Sequence, residues 1–151
     1  MSKLKVIQLL PELNIGGVER GTKDFSSALV QRGHESIVIS NGGLFEHDIV
    51  KDGARHIKIP IHKKSLFSLL LSKKLRTVYE EEKPDIVHVR SRMPAWINFY
   101  AFKGLLKKPN LEFNLLYATP PGIFFKSFSI TAMLNCLLLF IFSVILCNDS
   151  T

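Results

Sequence analysis

Cysteine is nearly absent: the 151 residues hold only Cys136 and Cys147, both inside one apolar stretch and far from any histidine. Their spacing fits no metal site, so they read as buried thiols in a reducing compartment, and no metal or cofactor is expected. A secretory leader is lacking as well. Met1-Ser2-Lys3-Leu4-Lys5-Val6-Ile7 has no apolar core of useful length and reads as a cytosolic N-terminus entering a strand. The glycines never fall in G-x-G-x-x-G order, and no Gly-Lys-Ser/Thr occurs, which excludes a dinucleotide fingerprint and a P-loop. Helix-turn-helix, finger and aromatic RNA-binding signatures are missing, and the basic residues are scattered, so nucleic acid is not expected as a partner. There is no internal repeat and no low-complexity linker.

What is present is enough chain for one domain with a real core, and too little for two doubly wound domains. A net charge of +7 and a pI near 9.5 point to an anionic neighbour, either a membrane surface or a phosphorylated ligand. Nearly all charge lies in residues 1–126; beyond Lys126 only Asp149 is charged. Ser127 to Asn148 is an uncharged run long enough to cross a bilayer as a helix. Lys103, Lys107, Lys108 and Lys126 precede it, which would leave the domain on the cytoplasmic side of a membrane. Three readings of this tail stand side by side: a membrane anchor, a core helix of a larger fold, or out-of-frame sequence. The expected division is a domain over residues 1–122 and a hydrophobic tail over 123–151.

The first ninety residues alternate short β-rich runs with helical patterns, the signature of βαβ units and a parallel sheet. Lys5 to Leu10 is the first strand, ended by Pro11. A helix opening at Gly16-Gly17 places Val18, Thr22, Phe25 and Leu29 on one face, with Gly33 as its left-handed stop. Ser36–Ser40 is the second strand, turned by Asn41-Gly42-Gly43. His56–Ile61 is the third, with Pro60 marking an edge. Ser65 can cap the next helix, whose face is Phe67, Leu71, Leu75 and Val78, and Lys83-Pro84 halts it. Asp85–Val89 is a fourth, buried strand. A helix over Ala95–Leu106 then carries a stripe of Ala95, Phe99, Phe102 and Leu106, and Leu111–Ala118 is a candidate fifth strand. The fold class is α/β: a Rossmann-like parallel sheet with helices on both faces, followed by a C-terminal hydrophobic helix.

The strongest local signal is Pro11-Glu12-Leu13-Asn14-Ile15-Gly16-Gly17-Val18-Glu19-Arg20, between the first strand and its helix. Two glycines let the backbone approach a ligand, and free N–H groups at a helix start favour an anion. Glu19 and Arg20 in the first turn supply a hydroxyl acceptor and a phosphate partner. The competing reading is a tight turn with solvated charges. His34 reads as a turn residue and His88 as a core or half-buried histidine. His62-Lys63-Lys64 reads as a basic loop.

These segments carry a family resemblance. Val6 through Gly16-Gly17-Val18-Glu19-Arg20, then Leu29 through Arg32-Gly33-His34-Glu35 to Val38, resembles the opening of family-4 retaining glycosyltransferases. Lys83-Pro84-Asp85-Ile86-Val87-His88-Val89-Arg90-Ser91-Arg92 resembles that family's fourth-strand segment, and the ordered set covers roughly residues 4–103. The resemblance implies the acceptor-side half of a metal-independent GT-B enzyme, in which two Rossmann-like domains face each other across a cleft. Gly16 and Gly17 would then approach the donor phosphates, while Arg90, Ser91 and Arg92 would line the cleft mouth. Two guanidinium groups there would suit an anionic acceptor such as a lipid-linked phosphate.

The departures from the family are as specific as the matches. Where the family has a Thr-x-His turn after the fifth strand, this chain has Ala118-Thr119-Pro120-Pro121-Gly122, and no histidine follows His88. The donor half with its Glu-x7-Glu motif is absent, so no catalytic residue is assigned. Half a cleft gives no catalysis, and nucleotide-sugar donor and glycan or lipid-linked acceptor become partners only with a donor domain in trans. The expected function is therefore a glycosyltransferase fragment, inactive alone. Two alternatives remain open: a membrane-anchored acceptor-side subunit of a split enzyme, held through residues 127–148 at the inner face of the membrane, and a binding module for another phosphorylated ligand.

Overall fold

The computed structural model describes residues 3–62, 70–105 and 109–113. Its elements run β1 (Lys5–Leu9), α1 (Gly17–Gln31), β2 (Glu35–Ser40), α2 (Glu46–Lys51), β3 (Arg55–Lys58), α3 (Leu71–Glu82), β4 (Ile86–Val89), α4 (Arg92–Phe102) and β5 (Asn110–Phe113). All neighbouring strands pair in parallel, in the order β3-β2-β1-β4-β5. This is the Rossmann-like α/β sheet expected from the alternating pattern. The described residues all fall within one compact unit. Among the described residues no helix is long and apolar enough to cross a membrane. The uncharged run 127–148, both cysteines, Lys63 and Lys64 lie outside the described residues.

Strand parity divides the core in two. Ile7, Leu9, Ile37, Ile39, Val87 and Val89 point to one face and pack with Leu75, Val78 and Tyr79 of α3 and Ile97, Ala101 and Phe102 of α4. Each such side chain, taken fully out of water, contributes about 1.5–3 kcal/mol. On the other face Leu10, Leu13 and Val38 meet Ile49 of α2 and Val30 of α1 in a smaller cluster.

The seam under α1 is polar instead of apolar. Thr22 and Ser26 are its buried residues, whereas Phe25 is 40% exposed and Val18 and Leu29 are only half-buried. The expected face of Val18, Thr22, Phe25 and Leu29 is therefore rotated, because β1 and β2 meet the helix with polar side chains. Gln8 Nε2 donates to Thr22 O at 3.2 Å, and the Ser26 and Ser36 hydroxyls lie 2.7 Å apart. Matching hydrogen bonds offset the desolvation of these groups, so they sit inside at little net loss.

Element ends follow local chemistry. Gly33 (φ +80°) ends α1 as expected, and Lys83 (φ 47°) ends α3 directly before Pro84. β3 is an edge strand that stops at Lys58, two residues short of Pro60. α4 begins at Arg92, three residues earlier than its periodicity suggests. It buries Met93, Pro94, Ile97, Asn98, Ala101 and Phe102, leaving Ala95 and Phe99 half-buried. Pro94 is tolerated there because first-turn N–H groups have no helical partner. The fifth strand starts at Asn110. The expected cap Ser65, and Phe67, Leu106 and the turn 118–122, lie outside the described residues.

Candidate cleft at the carboxyl ends of β1 and β4

Strand order reverses between β1 and β4, and in open parallel sheets ligands bind beyond the carboxyl ends at such a reversal. The two segments singled out from the sequence both leave the sheet there. One runs from Leu10 to Gly17 after β1; the other is Arg90-Ser91-Arg92 after β4.

The segment after β1 is held by the one after β2. Leu10 N–H donates to Ile39 O (3.2 Å), Asn41 N–H to Pro11 O (2.9 Å), Leu13 N–H to Gly42 O (3.0 Å), and Phe45 N–H to Leu13 O (3.0 Å). Gly43 sits at φ +150°, and a Cβ there would stand 2.5 Å from the Leu13 carbonyl carbon, so the close approach requires glycine.

From this anchored stem the chain enters α1. Gly16 caps the helix in extended backbone, and its carbonyl accepts the Arg20 N–H at 3.0 Å. A side chain at Gly16 would meet the Glu19 carboxylate, which folds back over the helix start, where the dipole favours negative charge. At Gly17 a Cβ would meet nothing within 4 Å. The fold leaves open space at Gly17, while Arg20 is exposed in the first turn.

Arg90 and Arg92 have different surroundings. Arg92 is the exposed first residue of α4, after Ser91, whose extended backbone caps the helix without a side-chain hydrogen bond. Arg90 is half-buried against α1: its Nε donates to Gln8 Oε1 (3.1 Å), its guanidinium lies 5.7 Å from the Phe25 ring centroid, and Nη1 is 3.8 Å from the position of a Cβ on Gly21. Burial lowers its affinity for the proton. His88, two residues earlier on the same strand, is 8% exposed and meets the Phe25 ring edge-on, and its Nδ1 has no hydrogen-bond partner. Burial, with Arg90 adding to it, brings the His88 pKa down to about 4, so the ring is neutral at neutral pH. His34 is a structural residue: its Nδ1 accepts the Leu4 N–H at 3.3 Å.

Gly16, Gly17, Glu19 and Arg20 thus stand at the start of α1, and Arg90 reaches its second turn, while Arg92 starts a different helix. Sequence reasoning missed Gln8 and Phe25 as the supports of Arg90. It also missed a hydrogen-bonded chain of Ser40, His56 and Glu46 beneath the β2 turn. The signal for Gln8 and Ser40 was their polarity within mostly apolar strands; Phe25 and Glu46 gave none. Among the described residues no group of three or more His, Cys, Asp or Glu side chains is placed to hold a metal.

Comparison with known proteins bears on this geometry. The family model described as Glycosyltransferase Family 4 matches residues 15–111. A glycosyltransferase from Rickettsia africae is similar at 32% identity and a TM-score of 0.67, over 80% of this chain and 32% of that one. The C-terminal domain of a hydrogenase from Pyrococcus furiosus shares the fold alone, at 18% identity and a TM-score of 0.52, over 76% of this chain and 94% of that domain. No curated protein matches the chain.

Proposed function

The chain belongs to glycosyltransferase family 4, and from that membership we propose that it is the acceptor-side half of a retaining GT-B glycosyltransferase, moving a sugar from a nucleotide donor to an anionic glycan or lipid-linked acceptor. One observation carries the reading: the glycine loop and the Arg90–Arg92 segment leave adjacent strands at the same end of the sheet, where its order reverses. In this reading Gly16 and Gly17 give donor phosphates room beside the α1 N-terminus, with Glu19 and Arg20 in the first turn. Arg90, Ser91 and Arg92 face the acceptor. Arg92, exposed, meets an incoming phosphate first; Arg90, braced by Gln8 and Phe25, offers its remaining N–H groups from a fixed position.

The chain spans about a third of the length of the Rickettsia glycosyltransferase. A donor half has to complete the cleft, as a separate chain or as continuing sequence, and without it neither transfer nor donor hydrolysis is expected. Incubating the purified chain with nucleotide sugars checks this, and released or transferred sugar would overturn it. The acceptor side is tested by melting the chain with phosphorylated glycans. A rise in melting temperature that Arg92→Gln abolishes supports the reading, and no anion-dependent rise sinks it.

The uncharged run Ser127–Asn148 favours a second form of the same reading, in which the domain is an anchored subunit at the cytoplasmic face of a membrane. Recovery of the chain in the membrane fraction after carbonate washing supports it, and recovery in the supernatant excludes it.

A further inference from the structure

Below the β2 turn three side chains form a continuous hydrogen-bonded chain with a defined direction. Glu46 of α2 places Oε1 3.2 Å from His56 Nδ1; His56 Nε2 is 2.8 Å from Ser40 Oγ; and Ser40 Oγ accepts the Gly42 N–H at 3.0 Å. A carboxylate only accepts and a backbone N–H only donates, so the two ends settle the tautomer. Nδ1 carries the proton and donates to Glu46, and Nε2 accepts the Ser40 hydroxyl, whose oxygen in turn accepts from Gly42. With neutral imidazole these contacts all match.

Ser40 is fully buried and the His56 side chain is 3% exposed, so the chain is closed to substrate and the serine is no nucleophile. It leads to the cleft instead. The Gly42 carbonyl accepts the Leu13 N–H, and Gly43 lies against the Leu13 carbonyl, so the β2 turn is the surface on which the β1–α1 loop is laid.

We propose that His56 is a positioning residue for the glycine loop: its neutral ring, held between Glu46 and Ser40, sets the β2 turn, and the turn sets the stem that carries Gly16 and Gly17. Protonation gives Nε2 a hydrogen, Ser40 Oγ then faces two donors, and its own hydroxyl proton has no acceptor in a buried site. The charged groups facing His56 are Glu46 from α2 and Lys58 from its own strand. β2 contributes only the Ser40 hydroxyl, and the other acid of α2 that sits beside α1, Asp48, pairs with Lys23 at 3.2 Å. Burial opposes the charged ring more than Glu46 supports it, so the neutral form is the native one through neutral pH.

The ligand consequence rests on the reading of the glycine loop as a phosphate site, and the test separates the two. Amide and imidazole resonances of the full chain are followed by NMR from pH 7.5 to 4.5, and pyrophosphate affinity is measured over the same range. The Gly42, Leu13 and Gly17 amides are expected to move with the His56 midpoint, below 6.5, and to stop doing so in His56→Gln. Ser40→Ala tests the link between ring and turn without removing the titrating group: His56 should still titrate while the Gly42 amide no longer follows. Pyrophosphate binding is expected to weaken about fivefold on the acid side, roughly the worth of one hydrogen bond. His56 titrating while Gly42 and Leu13 stay still in the unmodified chain would overturn the positioning role. Amides that move with His56 alongside no pyrophosphate binding at any pH would uphold it and refute the phosphate site.

Discussion

Two glycines of the cleft loops make opposite demands on a side chain. Gly17 faces open space within 4 Å and has an ordinary backbone angle, so Gly17→Ala should leave stability within about 0.5 kcal/mol of the parent. If the space serves a ligand, the same methyl group should weaken pyrophosphate binding measurably, by calorimetry; equal affinity would remove Gly17 from the site. Gly43 is the reverse. Its φ of +150° strains any other residue, and a Cβ would run into the Leu13 backbone, which cannot yield as a flexible side chain can. Gly43→Ala should cost more than about 1 kcal/mol in urea unfolding, since strained backbone alone accounts for 1–3 kcal/mol. An unchanged midpoint would mean that the two loops are not pressed together.

Helices α3 and α4 show what ties elements to each other across a face of the sheet. Arg76 of α3 donates to the carbonyls of Tyr100 (3.1 Å) and Ala101 (3.1 Å), closing the end of α4, whose last turn has no basic residue of its own. Gly104 leaves the room for it, since a Cβ there would overlap the guanidinium. A cation at a helix C-terminus with two charge-assisted bonds is worth about 1.5–3 kcal/mol. Arg76→Ala should lose about that amount in urea unfolding and Arg76→Lys more than half of it, because an ammonium cannot span two carbonyls as a planar fork does. Full retention in the lysine variant would show that charge alone suffices. One level deeper, Tyr79 donates to Asn98 Oδ1 at 2.6 Å in the core, and Asn98 Nδ2 is already without a partner. Tyr79→Phe would leave that amide wholly unsatisfied, at about 1–3 kcal/mol.

At this scale the limits of sequence reading have physical causes. β1, β2 and β4 were legible because short, mostly apolar β-rich runs stand between helical patterns, and Gly33 and Lys83-Pro84 are stops that work through local backbone geometry. α2 was not legible: six residues with one buried side chain, Ile49, carry no periodicity. The buried faces of α1 and α4 were misjudged for one reason. Ser26 and Asn98 are polar yet internal, and each is placed by a partner on another element that no local pattern discloses. The cleft was half legible, since both loops were found but the supports of Arg90 and the His56 chain join residues far apart in sequence.

Over the whole domain, a set of paired carboxylates and two buried imidazoles predict how stability responds to acid. At the amino end of the sheet Lys5 bridges Glu35 (3.3 Å) and Glu82 (3.2 Å), Lys3 also reaches Glu35 (2.9 Å), and Arg55 joins Glu82. Hydrogen bonds from Lys3 and from Arg55 hold the Glu35 and Glu82 carboxyls below their ordinary range. Their contribution is present above pH 4.5 and fades as acid protonates them. Further along β3 and β4, His56 and His88 are both held neutral, mainly by burial. An imidazole depressed in the folded state takes up its proton more readily when unfolded, so its contribution is complete above pH 6.5 and is lost as pH falls. For His88 the loss runs from 6.5 to about 4 and amounts to at most about 3 kcal/mol. Unfolding free energy from urea titrations should therefore begin to decline near pH 6.5, well before the carboxylates protonate, and steepen below 4.5. His88→Gln should remove much of the upper limb while leaving the lower one. Stability flat from pH 6.5 to 4.5 would mean that water reaches both rings and that their burial does not hold them neutral.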